Sequence, residues 1–211
     1  MEKAYRNIGF IFLIFIPLTF LGFYKTYFVL SPEFVGTVDF FTHIHALIAS
    51  LWMILLIVQP LLIRYKNYKL HRIFGKISYV VFPALLLSFI PQMIKEYGKN
   101  LFPLNAVFDV ILLLLFYILA IKHKKNIAVH MRYMISIALL FIGPTLGRII
   151  FIFLGLENLG SFHIPYLTVI IILTYLIFWD KKNNRNYKPY LLALASFLIY
   201  LIALYLIDVN L

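Results

Sequence analysis

The sequence contains no cysteine and has few charged residues, acidic ones least of all. Of its 211 residues, 13% are charged and only 8 are Asp or Glu. The lack of cysteine excludes disulfides, thiolate metal sites and cysteine nucleophiles. A soluble domain is roughly a quarter charged, so this chain has too little polar surface to cover a water-soluble globule. Because 64% of the residues are hydrophobic and the mean hydropathy is +0.95, we expect an integral membrane protein.

Long apolar runs occupy most of the chain. A transmembrane helix needs about 20 apolar residues, and seven runs are close to that length or exceed it. The predicted fold is therefore an all-α integral membrane protein, a bundle of seven transmembrane helices in one domain covering residues 1–211. We number the predicted spans 1 to 7 in chain order: Ile8–Leu30, Phe40–Ile63, Ile73–Ile94, Leu101–Ile121, Met131–Leu154, Pro165–Trp179 and Tyr190–Ile207.

Basic residues are concentrated between alternate pairs of spans. The net charge is +11, and the Lys and Arg residues cluster before span 1 and around the loops after spans 2, 4 and 6. Positive loops stay in the cytoplasm, so we expect a cytoplasmic N-terminus and an external C-terminus in a bacterial inner membrane. The expected partners are anionic lipid headgroups, not nucleic acid.

This orientation predicts the positions of two reporters. A reporter fused after Leu211 should be external, and one inserted near Asn67 should be cytoplasmic, because the loop at Asn67 is among the most basic. Protease accessibility of the two fusions measures this. Both reporters on one side of the membrane would mean that the number of spans is wrong by an odd number.

Polar and aromatic residues recur at helical spacing in four consecutive spans. Residues three, four or seven apart share one face of a helix, and ionisable groups inside a span indicate function. We therefore predict a polar interior between spans 2 and 5, with spans 1, 6 and 7 at its flanks. The stripes follow the helices of these spans and include residues that directly flank the apolar runs: His45, Trp52 and Gln59 on the helix of span 2; His71, Gly75, Ser78, Phe82, Phe89 and Gln92 on that of span 3; Asp109, Phe116 and His123 on that of span 4; and His130 and Arg148 on that of span 5.

Haem b is the predicted cofactor of the cytoplasmic half of this interior. Membrane haems are held by histidines, with basic side chains beside the propionates. His71 and His130 are the predicted ligands and His123 is a reserve ligand. Arg72 and Arg132 are predicted to meet the propionates, and Gly75 to leave room for the macrocycle. A different interpretation stays open, in which the histidines only occupy the ends of spans near the interface.

The outer half supports a second hypothesis. His45, Asp109 and His163 are ligands that zinc accepts, with a water as a nucleophile, which would make the chain a membrane hydrolase. A small-solute transporter is a further alternative. Asp109 and Arg148 are predicted to meet as a buried pair, because an unpaired charge at this depth is costly. The spacing of Gly143 and Gly147 favours close helix packing.

Two motifs carry a resemblance to known proteins. H-R-x-x-G begins at His71 and H-x-R-x-M begins at His130, which places Met134 two residues after Arg132. With His45 and Gln59 before them and Arg148 after them, these motifs resemble a family of uncharacterised bacterial multi-pass membrane proteins over residues 40–150. The chain is also distantly similar to transmembrane diheme b-type cytochromes and small oxidase-assembly proteins. That resemblance implies electron transfer or oxidase assembly, with a respiratory complex as a partner.

Overall fold

The computed structural model describes residues 2–34, 38–96, 102–156 and 159–208. Its regular elements in these ranges are nine α-helices and two short 3-10 helices, without a strand. The chain divides into two compact units, Met1–Val107 and Phe108–Leu211, which are described one at a time. The helices are α1 Ile8–Phe12, α2 Phe15–Phe23, α3 Phe40–Arg64, α4 Tyr68–Glu96, α5 Phe102–Lys122, α6 Ile127–Leu140, α7 Ile142–Leu154, α8 Leu159–Lys182 and α9 Lys188–Asp208.

Seven helical segments are long and apolar enough to cross a membrane, which confirms the predicted number of spans. The largest difference at a span end concerns span 1. It ends at Phe23 rather than Leu30, because the chain leaves the helix there and forms turns and a 3-10 helix at Phe28–Leu30. Span 4 was predicted to start at Leu101, which lies outside the described residues. The orientation in the membrane stays a prediction.

Polar caps define where several helices begin. The Asp39 carboxylate accepts the Thr42 backbone N–H at 2.8 Å and starts α3. The Asn126 side chain accepts the Val129 N–H at 3.2 Å and starts α6. Capping oxygens of this kind replace the intrahelical partners that the first N–H groups of a helix lack. The Asn126 cap follows the short polar segment between α5 and α6, whereas the Asp39 cap follows the longer segment after α2.

In the first unit, the predicted stripes of spans 2 and 3 face each other. Because both stripes repeat every seven residues, α3 and α4 keep one antiparallel register along their contact. The two stripes thus pack against each other. This packing explains much of the regular seven-residue spacing of their residues. The contacts in this register are Thr42 Oγ1 with Gln92 Oε1 at 3.5 Å, the rings of His45 and Phe89 at 4.8 Å, the rings of Trp52 and Phe82 at 5.1 Å, and Gln59 Nε2 at 3.7 Å from the position of a Cβ on Gly75.

In the second unit, span 5 is interrupted at Phe141, between α6 and α7. Pro144 lies in the first turn of α7, where the lack of a proline N–H is tolerated. The Thr145 hydroxyl donates to the Phe141 carbonyl at 2.7 Å, so a carbonyl at the break gains a partner. A Cβ on Gly143 would lie 3.1 Å from the Tyr166 hydroxyl. The absence of a side chain at Gly143 therefore lets α7 pack closely on α8, as the spacing of Gly143 and Gly147 predicts.

Candidate functional site

His130 is held in one tautomer at the start of α6. Its Nδ1 lies 2.8 Å from the carbonyl oxygen of Ala120 in α5. A carbonyl only accepts hydrogen bonds, so Nδ1 must carry a proton, and in the neutral imidazole the lone pair is then on Nε2. Histidines that ligate metals are oriented in this way by a second hydrogen bond from the other ring nitrogen. The half-buried imidazole of His130 therefore has the protonation and the fixed orientation of a ligand.

A second histidine lies near His130 at the same corner of the second unit. His123 follows α5 directly, and its ring is stacked on Tyr133 of α6, with centroids 6.2 Å apart. His130 and Tyr133 are three residues apart, so they lie on neighbouring positions of one helix face. The corner between α5 and α6 thus brings together two of the predicted haem-binding residues.

Arg132 is not available to bind a propionate, contrary to our expectation. Its Nε donates to Asp180 Oδ2 of α8 at 2.7 Å, and both side chains are 0% exposed. Its Nη1 also donates to the Ala128 carbonyl at 2.9 Å. Arg185 Nη1 approaches the other oxygen of Asp180 at 3.8 Å. Arg132 is thus a buried structural cation, and the predicted role in haem binding is wrong for this residue.

The remaining predicted haem-binding residues lie in the first unit, on α4. Arg72 is exposed, and its Nε donates to the Tyr68 carbonyl at 3.3 Å. His71 is half-buried one residue before it. The nearest atom to a Cβ on Gly75 is Gln59 Nε2 at 3.7 Å, an ordinary contact distance. An alanine at position 75 would therefore fit without a clash.

Asp109 is contacted by tyrosines and not by Arg148. The Tyr166 hydroxyl lies 3.1 Å from Asp109 Oδ1 and 3.4 Å from Oδ2. The Tyr200 hydroxyl donates to the Tyr166 oxygen at 2.6 Å. Arg148 Nη1 instead donates to the Pro144 carbonyl at 3.0 Å within α7. Among the described side chains, the structure shows no ion pair between Asp109 and Arg148, so the prediction of this pair is wrong here.

The residues predicted to bind zinc each have other neighbours. His45 Nδ1 lies 2.8 Å from Ser88 Oγ, and the ring of His163 meets Tyr205 edge-on at 6.5 Å. In the described ranges, no group of three His, Asp or Glu side chains is arranged to hold a metal ion. The zinc site stays a hypothesis without a supporting contact.

The side chains of Asp39 and His43, at the start of α3, have separate partners. The Thr42 hydroxyl and N–H, together with Lys95 Nζ at 3.3 Å, stabilise the Asp39 carboxylate and lower its pKa to about 2. His43 Nδ1 instead lies 2.8 Å from the Tyr27 hydroxyl. The ring of Phe34 also meets His43 edge-on, with centroids 4.6 Å apart. His43 thus belongs to an aromatic cluster formed with the segment that follows span 1.

The partners of the buried charges come from spans 6 and 7, which the sequence had placed at the flanks. Tyr166 and Asp180 lie on α8, and Tyr200 lies on α9. The sequence signal for Asp180 was its position at the end of an apolar run. Two lysines follow it, so its surroundings in the sequence resemble a basic loop. Nothing in the sequence distinguishes these two tyrosines among the 15 in the chain.

Comparisons with known proteins add no family to this description. No family model, curated protein or solved structure matches the chain.

Proposed function

We propose that the chain is a haem-binding multi-pass membrane protein that serves electron transfer or the assembly of a respiratory oxidase, in which His130 would be a ligand of the haem. The observation that carries this proposal is the hydrogen bond from His130 Nδ1 to the Ala120 carbonyl. It leaves the lone pair on Nε2, the nitrogen that would bind iron, and it fixes the plane of the ring.

Other residues fit the same proposal to different degrees. His123 lies at the same corner and is the reserve ligand within the second unit. His71, Arg72 and Gly75 lie in the first unit, and the roles that the sequence predicts for them stay predictions. Arg132 takes no part, because Asp180 already neutralises it. When bound, haem would supply reversible one-electron chemistry.

A structural role for His130 is the competing explanation. The last carbonyls of a helix lack intrahelical partners, and Ala120 lies in the last turn of α5. His130 would then be a cap that ties α6 to α5, with no ligand on Nε2. The two explanations differ in what they require of the side chain. A cap needs a donor only, whereas a haem ligand also needs a nitrogen lone pair.

Substitution by glutamine separates a cap from a ligand. Glutamine offers an amide N–H to the Ala120 carbonyl but no nitrogen lone pair. In protein produced with ample haem, we expect His130→Gln to remain folded and to lose or shift the Soret band, and His130→Gly to recover the band when imidazole is added. His163→Ala, which removes another half-buried histidine, serves as the matched control and should keep the band. An unchanged Soret band in both His130 variants would contradict the assignment of His130.

Partner and location follow from the same proposal. Anionic headgroups are the expected partners of the basic loops, and a respiratory complex is the expected protein partner in a bacterial inner membrane. A zinc hydrolase and a small-solute transporter remain alternatives. A colourless protein that still folds would favour them.

A further inference from the structure

The half-buried carboxyl of Asp109 stands apart from the haem proposal, and it lies at membrane depth. Lys122 ends α5 thirteen residues later, Lys182 ends α8 sixteen residues after Tyr166, and Lys188 begins α9 twelve residues before Tyr200. At 1.5 Å per residue, Asp109, Tyr166 and Tyr200 lie about 18–24 Å from these basic helix ends. All three therefore belong to the same apolar layer of the second unit.

The hydrogen bonds of this cluster have one direction. Tyr200 donates to the Tyr166 oxygen at 2.6 Å, and Tyr166 donates to the carboxylate of Asp109 at 3.1 Å. Each hydroxyl has a single proton, so both protons are directed toward Asp109. Tyr200 also lies within hydrogen-bonding reach of Asp109 itself, so three helices, α9, α8 and α5, contribute one group each to a hydrogen-bonded cluster around the carboxylate.

Two neutral hydroxyls do not cancel the charge of a carboxylate. Within the described residues the carboxylate has no cation within ion-pair distance, and Arg148, the cation of the neighbouring α7, directs Nη1 to the Pro144 carbonyl. Two of the neighbouring side chains are aromatic: Phe108 stacks on Tyr200 at 4.8 Å, and Phe197 lies beside Tyr166. A carboxylate at membrane depth without a counter-charge is costly, and that cost is relieved by taking up a proton or binding a cation.

We propose that Asp109, Tyr166 and Tyr200 form an intramembrane proton-binding site, in which Asp109 takes up and releases the proton and the two tyrosine hydroxyls connect it to α9. The carboxylate gains the proton on one oxygen, and the other oxygen continues to accept the hydrogen bond from Tyr166. Release returns the same proton to water, so no other reactant is needed. This site extends beyond haem binding and does not depend on it.

Infrared difference spectroscopy of the protein in lipid bilayers tests the site directly. A protonated carboxylic acid has a C=O stretch that is separate from the carboxylate bands. We expect a pH-dependent band of this kind in the unmodified protein, and its loss in Asp109→Asn. Asp39→Asn is the matched control, since it removes an exposed carboxylate, and it should keep the band. Tyr166→Phe should keep the band and move it to higher frequency, because the carboxyl loses its hydrogen-bond donor.

Three results would overturn the proposal. The first is the absence of the band at every pH at which the protein stays folded. The second is a band that persists unchanged in Asp109→Asn. The third is a band that sodium ions remove at constant pH, which would make the site a metal-cation site. Should Asp109→Asn fail to fold, the frequency shift in Tyr166→Phe decides between the outcomes. All these spectra are independent of a Soret band, so a failure here and a failure of the haem proposal are distinguishable.

Discussion

Replacing Asp180 by asparagine is expected to lower the free energy of unfolding by about 3–5 kcal/mol, which is the usual cost of removing one partner of a buried ion pair. Asparagine has nearly the same shape but no charge, so the fully buried guanidinium of Arg132 would lose its counter-charge. The loss should be large because Arg132 is directly bonded to Asp180 at 2.7 Å. Reversible unfolding in mixed micelles measures the change.

Two further variants control this prediction. Arg185→Gln removes the weaker contact with Asp180, at 3.8 Å from a side chain that is 25% exposed. Its effect should stay below about 1 kcal/mol, as for exposed ion pairs. Arg132→Met combined with Asp180→Leu should be far milder than Asp180→Asn alone, because no unpaired charge remains. An Asp180→Asn variant no less stable than Arg185→Gln would contradict the buried pair.

Replacing Trp52 by alanine should also destabilise the chain strongly. Trp52 is 0% exposed, and its ring packs on Phe82 at 5.1 Å between α3 and α4. Removing a buried aromatic side chain leaves a cavity and costs about 3–5 kcal/mol. The same unfolding measurement applies.

The chain provides its own control for this substitution. Trp179, the other tryptophan, is 41% exposed near the end of α8. Trp179→Ala removes the same atoms with little loss of packing, so it should change stability by less than about 1 kcal/mol. Equal effects of the two substitutions would mean that Trp52 does not hold α3 against α4.

Much of the architecture was predictable because it depends on length and periodicity. A run of about 20 apolar residues has few alternatives to a transmembrane helix, and all seven spans were found from this property. The seven-residue repeats of spans 2 and 3 also identified the helix faces that pack together in the structure. What the repeats did not indicate is which faces meet. His45, Trp52 and Gln59 pack against the stripe of span 3, and each could equally have faced a cofactor.

The polar partners were harder to predict, since pairing depends on which helices are neighbours. Asp109 and Arg148 seemed complementary because both were charged and at similar depth, yet tyrosines of α8 and α9 meet Asp109. Arg132 was predicted to meet a haem propionate because it lies two residues after His130. Its partner, Asp180, is 48 residues away. No local pattern encodes a contact over that distance.

The absorption spectrum of the purified protein, produced with ample haem, is the most direct test of the proposed function. The proposal predicts a Soret band that stays with the protein through purification and changes on reduction, as a histidine-ligated haem requires. A folded, haem-supplied protein without a Soret band would contradict haem binding and leave His130 as a helix cap.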